Sequence, residues 1–151
     1  MIRELRNHWL SPLIFLGASF ILNLFWENLQ APLYAGFTSF HEHFWICFKA
    51  AGGDLLFMLV IYAALAIIHR DPFWISNRQT YAHPATWIIT PLIGALLAVA
   101  FELWAVYVAH RWQYAAMPLI PVVATGLLPV LQMIVIPPLA LFFAHFTSKH
   151  R

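Results

Sequence analysis

The residues in this chain that could do chemistry are carboxylic acids in apolar surroundings. Glu27, Asp54 and Glu102 each stand inside a long hydrophobic run. A charged side chain at the centre of a bilayer costs roughly 2.5–3.5 kcal/mol on insertion scales, so such residues face a bundle interior or a wet cavity. A carboxyl paired with a cation stays ionised, whereas an unpaired one in an apolar pocket keeps its proton, and together they make a base and an acid. Lys49 and Arg111 are the cations placed to pair with Glu27 or Glu102. Glu27 and Glu102 are therefore the candidate acid and base, with Asp54 as a deeper partner.

Helical spacing collects further polar groups around them. Asn23, Glu27, Gln30 and Tyr34 follow steps that keep one face of a helix, as do His43, Cys47, Ala50 and Asp54. Thr125, Pro129 and Gln132 repeat the pattern near the end of the chain. A polar stripe avoids lipid, so the three should meet on a common axis. Asn23, Trp26, Gln30, Tyr34, Lys49, Trp112, Tyr114 and Gln132 are then the residues expected to bind or cover a ligand. A polar seam that only holds helices together explains Asn23 and Thr125 equally well. For Glu27 and Glu102 it is the costlier device, because an amide would serve.

Four elements must position these groups. Apolar runs at about 12–32, 44–68, 86–109 and 119–146 each have the roughly 20 residues that a bilayer span requires. Pro121, Pro129, Pro137 and Pro138 should bend the last of them. Gly52 and Gly53 read as a point of close helix contact. Arg3, Arg6, Arg70, Arg78, Lys149 and Arg151 fall on one side of such a bundle and Arg111 on the other. By the positive-inside rule, both chain ends are cytoplasmic. The expected fold is an all-α integral membrane four-helix bundle, a single domain over 1–151, in the inner membrane of a bacterium. From the rise of an α-helix, Glu27 and Glu102 lie about 5–10 Å below the outer edge, and Asp54 and Gln132 near the midplane. Pro32 should end or kink the first helix, and the segment from Arg111 to Pro118 reads as an aromatic cap on the outer side. Trp74, Tyr81 and Trp87 are expected at the cytoplasmic interface.

Composition agrees and excludes much else. Hydrophobic residues make up 62% of the 151, charged residues 9%, and the mean hydropathy is +0.75. Soluble domains carry roughly 25% charged residues. A net charge of +2 gives no reason to expect nucleic acid as a partner. The single cysteine, Cys47, cannot form an internal disulfide. His43 and Cys47 have the spacing of metal ligands on one helical face, but no second cluster completes a site. Haem would need an axial pair such as His43 with His110, or His69 with His145. No metal, haem or other cofactor is predicted. The expected partners are the lipid bilayer and a lipophilic small molecule, with a homo-oligomer or a larger membrane complex as further options.

The stretch from Asn23 to Tyr34, with its Trp26-Glu27 pair, Gln30 and Pro32, resembles the first helix of a group of small bacterial four-helix membrane proteins of uncharacterised function. Gly53-Asp54, Glu102, Trp112-Gln113-Tyr114 with Met117-Pro118, and the segment from Gly126 to Gln132 with Pro137 resemble the remaining motifs of that group. The resemblance implies the topology and no activity. Trp26-Glu27 and the general layout also resemble the membrane-bound terpene cyclases of meroterpenoid pathways, which have more helices. That likeness implies acid chemistry towards isoprenoids. Two other functions remain open from the sequence: a small proton- or ion-coupled transporter, and a structural or assembly subunit of a membrane complex.

Overall fold

The computed structural model describes residues 2–149, with side chains from 9 to 146. The side chains of Arg3, Arg6 and Lys149, and the whole of Arg151, lie outside the described residues. The chain is a bundle of four long helices, α1 (Ile2–Gln30), α2 (Phe40–His69), α4 (Pro84–Leu103) and α5 (Leu127–Lys149), with a short α3 (Arg78–Ala82) in the second connection. All four long helices have a segment long and apolar enough to cross a membrane. They alternate in direction, so 3–10 turn Ala31–Leu33 and the link from Leu103 to Leu127 lie at one end of the bundle. The chain around α3 lies at the other.

Each helix boundary has a local cause. Pro32 sits in the 3–10 turn Ala31–Leu33 that closes α1, where its missing N–H breaks the helical ladder. Ser39 caps α2 by accepting from the Glu42 N–H, and Arg70 in the left-handed region (φ 54°) ends it. His83 caps α4 through its ring, with Pro84 at the first helical position. The last turns of α4 widen into a π-helix, Trp104–Val108.

The fourth span departs from expectation. Residues 119–126 do not extend α5 but form a two-stranded hairpin, β1 (Leu119–Ile120) with β2 (Thr125–Gly126), paired Leu119 to Gly126 and Ile120 to Thr125. Pro121 follows β1 directly and Ala124 adopts φ 51°, so the chain reverses where periodicity alone suggested a continuing helix. The Tyr107 hydroxyl fixes the turn by donating to the Ala124 carbonyl at 2.7 Å.

Packing goes around the bundle in the order α2–α1–α5–α4, with close contact at each of those three junctions and a much looser one between α2 and α4. At the α4–α5 junction Gly94 is the close-contact residue: a Cβ there would collide with the Met133 carbonyl oxygen. The close contact expected of Gly52 and Gly53 is not made, since an added Cβ at either meets nothing within 4 Å. The second connection packs inward: Trp74 (0% exposed) and Tyr81 (6%) belong to the core. Their polar atoms explain this, because Trp74 donates to the Tyr62 carbonyl (3.1 Å) and Tyr81 to the Ile75 carbonyl (2.7 Å). A hydrogen-bond partner offsets the cost of taking such an aromatic tip out of water. Trp87 is half-buried, its indole donating to the Tyr81 carbonyl (2.8 Å).

Candidate functional site

A cavity of about 680 Å³ opens at the end of the bundle where α1 stops, lined by α1, α2, α4, α5 and the link after α4. Its size falls within the roughly 300–1,000 Å³ range of small-molecule sites. Glu27, Asp54 and Glu102 all line it, one from each of α1, α2 and α4. Gln30, Gln132, Tyr34, Lys49, Trp112, His43, Cys47 and Arg111 line it too.

Gln132, buried on α5, organises the deep side. Its side-chain N–H groups donate to Asn23 Oδ1 (2.9 Å) and Asp54 Oδ2 (3.0 Å). Its Oε1 accepts from Gln30 Nε2 (3.2 Å), which also donates to Glu27 Oε1 (2.9 Å). One amide thus ties three helices together and links two carboxyl groups. Asn23 stands behind Gln132, fully buried and off the cavity surface.

Glu102 is held from a different direction. The Tyr114 hydroxyl donates to Glu102 Oε2 and accepts from the Gly126 N–H (2.9 Å). Burial, followed by that bond to Glu102, pushes the Tyr114 hydroxyl up, so it keeps the proton that it donates. Tyr114 therefore acts from behind Glu102 and does not line the cavity. Tyr34 is also pushed up, by burial and then by the charges of Glu102 and Glu27.

The link after α4 folds over the cavity as a cap. Tyr34 and Tyr114 form an isolated antiparallel bridge, and the Ala35 N–H donates to the Gln113 carbonyl (2.9 Å). The Ala115 N–H donates to the Leu33 carbonyl (2.9 Å), so the cap is tied to the end of α1. Trp112 packs edge-on against Tyr34, with ring centroids 6.2 Å apart, and lies 5.9 Å from Phe101. Its indole N–H is near the Glu102 carboxyl but outside hydrogen-bond geometry. Gln30 Oε1, His43 Nδ1 and Trp112 Nε1 are buried atoms of lining residues with no protein partner, which leaves one acceptor and two ring nitrogens for a guest.

Three sequence expectations fare differently. Trp26 is half-buried away from the cavity, so it does not contact a ligand there. Lys49 and Arg111 do not pair with Glu27 or Glu102. Those carboxyls accept from Gln30 and Tyr114, while Lys49 is exposed and Arg111 sits over the Trp104 ring at 5.9 Å. Gln30 from the same helix and the Tyr114 phenol from the link after α4 reach the carboxyls first, and the exposed cations stay at the rim of the cavity. His43 and Cys47 share the cavity wall, but among the described residues no three His, Cys, Asp or Glu side chains group as metal ligands do.

Sequence reasoning missed the apolar walls. Ile46, Leu56, Phe57, Phe101 and Met133 line the cavity. In a chain that is apolar nearly everywhere, such residues carry no signal of their own. The spacing of Phe57 from Gly53 and Asp54 was the one available hint.

No protein-family model matches the chain, and neither a curated protein nor a solved structure gives a significant match.

Proposed function

We propose that this is a multi-pass protein of a bacterial cytoplasmic membrane that binds a lipophilic small molecule in its capped cavity and acts on it by acid–base chemistry. The observation that carries this reading is the convergence of Glu27, Asp54 and Glu102, from three helices, on one partly apolar cavity. Structural glue does not need three carboxyl groups around a void, and each is expensive in lipid. Glu27 and Glu102 are the acid and base, and they differ in surroundings as such a pair should. Glu27 is approached by an amide and Glu102 by a phenol. Asp54 and Gln132 hold the deep wall, and Tyr34 and Trp112 cover the site.

The test incubates the purified protein with a bacterial lipid extract and follows product masses. Glu27→Gln and Glu102→Gln should each lower the turnover by about 10²–10⁴-fold, the range of general acid–base contributions. Full turnover by both variants sinks the assignment. Native mass spectrometry of the mildly purified protein, with an absorbance spectrum of the same sample, checks for a retained ligand, metal or haem.

In this reading the end of the bundle bearing Arg70 and Arg78 faces the cytoplasm, and the cap with Arg111 faces outward. Single cysteines introduced at Asn77 and at Gln113 in a Cys47→Ala background report the orientation. A membrane-impermeant maleimide added to intact cells should label the second and spare the first; the reverse pattern inverts the topology.

A further inference from the structure

The cavity has a second opening, along the side of the bundle. Ile46, Lys49, Gly53 and Leu56 all line it, and all four are exposed, Ile46 at 61% and Leu56 at 64%. Their steps of three, four and three keep one face of α2. From Ile46 to Leu56 the helix rises about 15 Å over ten steps. This face looks toward α4. Phe57, one turn below Gly53, meets Phe101 of α4 edge-on with ring centroids 5.3 Å apart. Along their length α2 and α4 pack more loosely than the other neighbours, and nothing lies within 4 Å of a Cβ built on Gly53. The result is a slot in the bundle wall, closed below by Phe57 and Phe101.

The slot has apolar sides and a basic top. Ile46, Leu56 and Phe101 are its apolar surfaces. Lys49 and Arg111 line the same cavity, both exposed, and neither pairs with the carboxyl groups inside. The ionised base of the pair opposes an anion moving deeper, so a negative group would be held at the rim. We infer that the cavity takes an amphiphile from the surrounding lipid through the α2–α4 slot, its chain lying between the two helices and its phosphate between Lys49 and Arg111. This rests on the reading of the cavity as a site for a lipophilic molecule and adds its route and its headgroup. Arg suits a phosphate through its planar fork and Lys as a point charge.

Two probes that differ only in the phosphate test it: 1-oleoyl lysophosphatidic acid and 1-oleoylglycerol, with inorganic phosphate as a third. Binding to the full chain in mild detergent is read by native mass spectrometry. Lysophosphatidic acid should bind at least tenfold more tightly than oleoylglycerol, and inorganic phosphate should not compete with it at equal concentration. Lys49→Ala with Arg111→Ala should abolish the difference. Gly53→Leu fills the slot at a position with room for a side chain, and should weaken both oleoyl compounds at least tenfold. Ile46→Trp should do the same from a second position. Equal binding of the two oleoyl compounds overturns the headgroup assignment alone, and competition by inorganic phosphate reduces it to a phosphate site without a chain. Unchanged binding by both slot variants overturns the route. A dimer mass that Gly53→Leu splits, with lipid binding unaltered, makes the slot a contact between copies and overturns the inference. Binding of neither oleoyl compound overturns it together with the reading on which it rests.

Discussion

Gln132 holds more of the site together than any carboxyl group does. It donates to Asn23 and Asp54 and accepts from Gln30, so its loss strands polar atoms of three residues on two other helices. Each buried polar group left without a partner costs about 1–3 kcal/mol. Gln132→Leu should therefore lower the thermal midpoint, followed by tryptophan fluorescence in detergent, by several degrees, while Glu27→Gln, which keeps a hydrogen-bonding amide, should lower it much less. Equal midpoints for the two would mean that the network is not carrying stability. The candidate site was largely legible at this scale because of cost. A carboxyl in an apolar run needs a reason, and the spacing of Gln30 from Glu27 and of Gln132 from Thr125 put amides on the same faces. The partners were not legible. Lys49 and Arg111 are the obvious counter-charges in one dimension, but an exposed side chain with water beside it has little to gain from a buried carboxyl that an amide already serves. Tyr114 was read as a covering residue, whereas it positions Glu102 from behind, a relation set by the fold of the cap.

The elements repeat this division between what a pattern specifies and what only packing decides. Three long helices fall where hydropathy puts them, and Pro32 ends the first as its missing donor requires. The stretch 119–126 did not follow, because a short apolar run with β-branched residues fits strand and helix alike, and Pro121 with a left-handed Ala124 settles it for a hairpin. The glycines illustrate the point best. Gly52-Gly53 looked like the contact pair, yet the helix that needs a glycine is α4, where Gly94 meets the Met133 backbone. A small residue permits close approach, and the neighbour decides whether it happens. Gly94→Ala should destabilise the bundle by about 1–3 kcal/mol, because α4 and α5 must separate to admit the methyl group. Gly52→Ala should be neutral or stabilising by up to about 1 kcal/mol, since a mid-helix glycine is costly and nothing opposes the side chain. Thermal midpoints of the two variants check this, and a reversed order would place the tight junction between α2 and a neighbour.

For the whole molecule, the distribution of polarity along the bundle bears on whether the cavity is a closed pocket or one end of a transport pathway. The polar groups that line the cavity stop at the level of Asp54 and Gln132. Beyond them α2 presents Met58, Ile61 and Leu65, all fully buried, and α5 adds Ile136, Ala140 and Leu141. Ser19 and Thr86 in that half donate to local carbonyls, of Phe15 (2.6 Å) and Thr80 (2.6 Å), and a side-chain pair there, His69 Nε2 with Thr86 Oγ1 (2.9 Å), sits at the far end beside α3. The end plug around Trp74 and Tyr81 is closed by hydrogen bonds of the same kind. A proton relay needs donors and acceptors in sequence across the apolar layer, and these groups do not supply one. Liposomes containing the protein should therefore show no proton flux above that of empty vesicles under an imposed pH gradient, with Asp54→Asn indistinguishable from the wild type. A gradient-driven flux that Asp54→Asn abolished would mean that the apolar half opens during a cycle. The carboxyl cluster would then be the loading end of a transporter and not an acid–base pair acting on a lipid.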